Sequence, residues 1–231
     1  MIRAAYFDAV GTVIHPARGA PALYAEAARR YGLAVEPTDV LPRFVEAYRR
    51  HEAIDAANGW RTDEQREVAR WRAIVAHALP GSPEECFRDL YGHFATPAAW
   101  TCPPDAATTF ESLHALGLTL GLASNYDARL LSVVAGRPEL ARLAGNVLVS
   151  AALGVRKPGR AFFDAVVASA GCDPADILFV GDDLEIDYAG ATAAGMRAVL
   201  LDPHDRHPEV PCRVRSLGEV VRLAEDGRTG M

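Results

Sequence analysis

Four short polar clusters stand out in this 231-residue chain, and each follows an apolar run of the kind that forms a buried strand. The first is Asp8-Ala9-Val10-Gly11-Thr12. A carboxylate at a strand end could attack phosphorus, and a turn through Gly11 and Thr12 would expose backbone N–H groups that hold anions. The second, Ser124-Asn125-Tyr126-Asp127, offers a hydroxyl, an amide and the N–H groups of a helix start. Those groups suit a phosphoryl oxygen, and they suit a plain helix cap equally well. In the third, Arg156-Lys157-Pro158-Gly159, Lys157 could neutralise both a nucleophile and a transferring phosphoryl group, or stand as a solvated surface cation. The fourth, Asp182-Asp183-Leu184-Glu185-Ile186-Asp187, crowds carboxylates at one strand end. Their repulsion calls for a cation, and oxygen-only ligands select a hard ion such as Mg²⁺. Asp187 could belong to that set or cap the helix that follows.

For these clusters to meet, the runs before them must lie side by side. Residues 2–7, 118–123, 147–149, 177–180 and 198–201 are short and apolar, with helical segments between the later ones. Such alternation predicts an α/β fold: a doubly wound parallel sheet, Rossmann-like, with its site at the carboxyl ends of the strands. Residues 16–99 differ in texture. They are rich in Ala, Arg and Glu, with Val68, Trp71, Ile74, Val75 and Leu79 at helical spacing. The expected organisation is therefore a core of residues 1–15 and 100–231, interrupted by an inserted helical-bundle cap over 16–99. The charged residues of that insertion read as solvated helix faces, and Trp60, Trp71 and Trp100 read as packing rather than as pocket walls. Linkers near 13–18 and 98–104 would let the bundle open and close, and the polar end from about residue 225 should fray.

Half the chain is apolar and its net charge is −6 with pI near 5.6, which argues against a nucleic-acid or membrane-surface partner. Cys86, Cys102, Cys172 and Cys212 are far apart, and no secretory leader is evident, which predicts a cytoplasmic protein. The first apolar run is far short of the ~20 residues of a membrane span. A monomer or weak homodimer acting on a small phosphorylated molecule is expected.

The order Asp8, Ser124, Lys157 and Asp182/Asp183, each after a strand, resembles the four motifs of the haloacid dehalogenase-like hydrolases. The likeness spans about residues 1–202, with the insertion similar to that superfamily's helical (subfamily I) cap. It implies that Asp8 is nucleophile and metal ligand, that Ser124 and Asn125 bind the phosphoryl group, and that Lys157 orients and neutralises. It also implies Mg²⁺ on Asp8, the Val10 backbone carbonyl and Asp182, with Asp183 assisting. Phosphatases of this family usually carry a second aspartate where Val10 stands, and valine cannot move a proton. Losing that acid/base group typically costs about 10²–10⁴-fold in rate. A good leaving group would make it unnecessary, or a replacement could come from His15, the first choice, or from His51, Glu52, Asp55 or Glu64. Two further readings remain: a binding protein with impaired turnover, and a metal-free 2-haloacid dehalogenase.

Overall fold

The computed structural model describes residues 1–229. Strand β1 (Ala4–Phe7) is followed by β2 (His15–Pro16), then helices α1 (Ala20–Arg30), α2 (Pro37–Ala57), α3 (Glu64–Ala78) and α4 (Glu84–His93). The chain returns through β3 (Trp100–Thr101) to α5 (Ala106–Ala115), β4 (Thr119–Ser124), α6 (Arg129–Ala135), β5 (Val147–Val149), α7 (Ser150–Leu153) and α8 (Arg160–Ala170). It ends with β6 (Ile177–Gly181), a wide π-type turn over Leu184–Ala189, α9 (Gly190–Ala193), β7 (Arg197–Leu201), β8 (Arg213–Val214) and α10 (Gly218–Thr229). Helix α10 continues through the stretch expected to fray, because Val220 and Ala224 on its inner face are buried against the sheet.

Six parallel strands form one sheet in the order β5-β4-β1-β6-β7-β8, flanked by helices: a Rossmann-like α/β fold. Alternation divides each strand between two cores. Ala5 and Phe7 of β1 join Leu120, Leu122, Leu178 and Val180 under α5, α6 and α10. Ala4 and Tyr6 face the other way, with Phe179, onto Phe162 and Phe163 of α8. Gly121 of β4 makes room for the Tyr6 ring, since a Cβ there would lie 2.2 Å from it. From β1 the chain runs outward one way to β4 and β5, then starts again on the other side with β6 and β7. The carboxyl end of β1 is thus a topological switch point, where a crevice opens for a ligand.

Helices α1–α4 close around a cluster of their own, including Leu23, Tyr24, Val40, Val75, Leu79, Phe87 and Leu90. The two connections to them pair as a small antiparallel ribbon, His15 with Thr101 and Pro16 with Trp100. Two-residue strands leave almost no periodic signal, and for that reason the sequence shows them only as linkers. No helix among the described residues is long and apolar enough to cross a membrane.

Candidate active site

Strand β1 delivers Asp8 to the switch point, β4 delivers Ser124, and the loop after α7 delivers Lys157. Lys157 Nζ donates to Asp8 Oδ1 at 2.5 Å, to Asp187 Oδ1 at 2.6 Å and to the Ala123 carbonyl at 3.1 Å. Ser124 Oγ donates to the same Asp8 oxygen at 3.0 Å. Burial alone pulls the Lys157 ammonium down, but Asp187 and Asp8 outweigh it and hold its pKa above that of a free lysine. The ammonium therefore stays charged between two carboxylates.

Single carboxylate oxygens of Asp8, Asp182 and Asp187 lie within 4.8 Å of one another. Burial, and then the Asp8 charge, push Asp182 up to about 6, while burial raises Asp187 against the pull of Lys157. Burial is the larger cause for both, and the neighbouring carboxylates add to it, so three acidic groups gather here around one lysine. An all-oxygen donor set of this kind fits a hard divalent cation.

Asp183 takes the cap position, and Asp187, which the sequence left open between the two parts, lies with the carboxylate group. Asp183 Oδ1 accepts the N–H groups of Glu185 at 2.9 Å and Ile186 at 2.8 Å, and so caps the π-type turn. That turn swings Asp187 back over Gly181, where a Cβ would stand 2.3 Å from its carboxyl.

Gly11 and Thr12, expected to hold phosphate, lie against Asp182. Gly11 has φ +94°, and a Cβ on it would lie 2.4 Å from Asp182 Oδ2; Thr12 Oγ1 donates to Asp182 Oδ1 at 3.3 Å. Neither lines the cavity. Asn125 does line it, but its amide is held by Lys157: Nδ2 donates to the Lys157 carbonyl at 3.0 Å, and Oδ1 accepts the Lys157 N–H at 2.7 Å. The pairing fixes the backbone from which the ammonium reaches Asp8.

Above these groups is a cavity of about 330 Å³ between the sheet and the helices. Its floor is Asp8, Ser124, Asn125, Lys157, Asp182, Asp183 and Asp187, with the partly exposed Val10 beside Asp8. Trp71 and Trp100 are among its walls, contrary to the reading of the tryptophans as packing alone, whereas Trp60 is not. His15, the expected substitute acid, lies in the exposed β2 ribbon and is not among the lining residues.

Beside Lys157, Arg156 is buried under the helices. It contacts Glu67 at 2.5 Å, Glu52 at 3.2 Å and Asp55 at 3.5 Å. Arg70 pairs with Asp55 and Glu52, and Arg66 with Asp55. The expectation of solvated helix faces fails here, and Glu52 and Asp55 are spent on arginines rather than aimed at a substrate. The backbone joins in: Arg156 N–H donates to the Trp60 carbonyl at 2.8 Å, and Thr62 N–H to the Gly154 carbonyl at 3.1 Å.

Residues 2–195 match the profile of the haloacid dehalogenase-like hydrolases. The chain belongs to that family and is a hydrolase. It is 30% identical to mouse haloacid dehalogenase-like hydrolase domain-containing protein 3 over 84% of this chain and 80% of that one. It is also 30% identical to the phosphoserine phosphatase of Thermus thermophilus, over 63% of this chain and 59% of the other. The fold matches L-2-haloacid dehalogenase from Xanthobacter autotrophicus with a TM-score of 0.74 at 20% identity, covering 97% and 99% of the two chains.

Proposed function

We propose that the protein is a Mg²⁺-dependent phosphatase that hydrolyses a small phosphorylated molecule through an aspartyl-phosphate on Asp8. The observation that carries this reading is Lys157 Nζ at 2.5 Å from Asp8, inside a group of three carboxylates. A phosphoryl group carries negative charge into the site, and a buried ammonium beside the nucleophile offsets it. Ser124 orients Asp8 and can turn its hydroxyl toward a phosphoryl oxygen. Asp187 holds the other side of Lys157, and Asn125 holds its backbone. Asp8, Asp182 and Asp187, with the Val10 carbonyl, are the proposed metal ligands, and Asp183 supports them as a cap. Bound there, Mg²⁺ would supply neutralisation of phosphoryl charge. The similarity to a phosphoserine phosphatase supports phosphate chemistry.

In this reading residues 16–99 form the cap, closing the cavity over Asp8. Val10 stands where the family's phosphatases place an acid, so the substrate's leaving oxygen departs without a proton from that position. A dehalogenase would need no cation, and three clustered carboxylates would then repel without benefit. Phosphate release from acetyl phosphate and aryl phosphates, with Mg²⁺ and with chelator, tests the proposal. Metal-dependent release that disappears in Asp8→Asn supports it. Halide release from a 2-haloacid, unaffected by chelator and without phosphate release, would replace it with dehalogenation.

A further inference from the structure

Seven aromatic side chains line the cavity: Tyr24, Phe44, Tyr48, Trp71, Phe94, Trp100 and Tyr126. They form one continuous belt. Ring centroids are 6.1 Å apart for Tyr48 and Phe44, 6.4 Å for Phe44 and Trp71, and 5.8 Å for Phe44 and Tyr24. From Tyr24 the belt continues to Phe94 at 6.5 Å, Trp100 at 5.4 Å and Tyr126 at 6.2 Å. Polar groups are concentrated at the floor, where the phosphoryl group would sit.

Only one cation other than Lys157 lines this space among the described residues, and it is already engaged. Arg129 donates to both carboxylate oxygens of Asp127 at 2.8 Å and to the Tyr91 carbonyl at 3.2 Å, with its guanidinium 3.5 Å from the Tyr91 ring centroid. A second phosphate or a carboxylate on the substrate would find no free counter-charge here. The Tyr126 hydroxyl donates to the Phe94 carbonyl at 3.2 Å, which takes it from sugar-like hydroxyls.

Proton supply narrows the choice further. Val10 beside Asp8 has no proton to give. Burial keeps the Tyr24 and Tyr126 hydroxyls above the ordinary tyrosine range, which makes them weak acids. A leaving oxygen gains no proton from position 10, which favours groups that depart as anions. Phenolates do so readily; alkoxides do not.

We propose that the aromatic belt and the missing acid at position 10 together select phosphate monoesters of phenols, with an uncharged aromatic ring seated among Trp71, Phe44, Tyr24 and Phe94. This rests on the phosphatase reading of Asp8. An Asp8 oxygen bonds to phosphorus as the P–O(aryl) bond breaks, and the electron pair leaves on the phenolate, which takes a proton from water. Water then attacks the phosphorus, Asp8 is released as a carboxylate, and the water's proton passes to solvent, leaving hydrogen phosphate and a phenol. The cavity of about 330 Å³ is roughly twice the ~150 Å³ that accommodates a benzene ring, which leaves room for ring and phosphoryl group together.

The test is steady-state hydrolysis by the full-length Mg²⁺-loaded protein of phenyl phosphate, benzyl phosphate, acetyl phosphate and glucose 6-phosphate. Phenyl phosphate should exceed benzyl phosphate by about 100-fold or more in kcat, because only the latter leaves as an alkoxide. Benzyl phosphate should still compete for the belt as an inhibitor, and glucose 6-phosphate should not. Trp71→Leu should lower kcat/KM for phenyl phosphate about tenfold more than for acetyl phosphate. Turnover of acetyl phosphate without preference for the phenyl ester, or equal turnover of phenyl and glucose esters, overturns the aromatic assignment and leaves the Asp8 reading standing. Folded protein that releases phosphate from none of the four overturns both.

Discussion

Arg156 Nη1 lies 2.5 Å from Glu67 Oε1, joining the loop that carries Lys157 to helix α3, and each side chain is only 1% exposed. Around this pair, three arginines (Arg66, Arg70 and Arg156) meet three carboxylates (Glu52, Asp55 and Glu67). Pairing with opposite charges offsets part of the cost of burying these groups.

Removing one member should therefore be costly. Glu67→Ala is expected to destabilise the fold by about 3–5 kcal/mol in denaturant titration, because Arg156 loses its nearest counter-charge. A double-mutant cycle with Arg156→Met should show a coupling of about 2 kcal/mol. Additive effects would mean that the contact does not hold the loop.

The different positions of Asp183 and Asp187 predict different losses. Asp187→Asn should weaken Mg²⁺ binding in calorimetry by at least about tenfold. Asp183→Asn should leave metal affinity nearly intact and cost at most about 1 kcal/mol of stability, since asparagine also caps helices well. Equal losses of affinity would return Asp183 to the ligand set.

Metal-free protein should respond to pH through Asp182. Its folded pKa of about 6 lies above the ordinary aspartate value of 3.8, so the folded form binds that proton more tightly than the unfolded chain. The stabilisation is full below the unfolded value and is lost as pH rises through about 6. With chelator present, Asp182→Asn should therefore gain in Tm relative to the parent between pH 5 and pH 7.5. Saturating Mg²⁺ should remove that advantage. A pH-independent difference would contradict the crowding of the carboxylates.

Gly181→Ala places a methyl group where the Asp187 carboxyl now sits, 2.3 Å from it. Turnover should fall by about 100-fold or more, because Lys157 loses a partner and the carboxylate cluster is displaced. Near-normal kcat in this variant would place Asp187 outside the chemistry.

Legibility in the sequence follows from how local each signal is. Asp8, Ser124 and Asp182 end strands whose apolar runs are visible within a few residues, and parallel pairing then brings them together. The role of Asp187 depends on a π-type turn, and helix-like spacing alone does not distinguish that turn from an α-helix. Arg156 looks like any surface arginine, because the carboxylates that bury it are 89 and 104 residues away. Trp71 is half of a helical pattern and half of a cavity wall, and periodicity reports only the first.

The paired connectors place the departure and return of the helices side by side, and a body joined along one such line retains a swing about it. The contact of Arg61 with Val155 lies elsewhere on the perimeter. A third attachment away from the line removes that rotational freedom unless it breaks first, and Arg156 would have to part from its carboxylates for it to do so. Swinging the helices away from the sheet therefore carries the cost of parting Arg156 from those carboxylates.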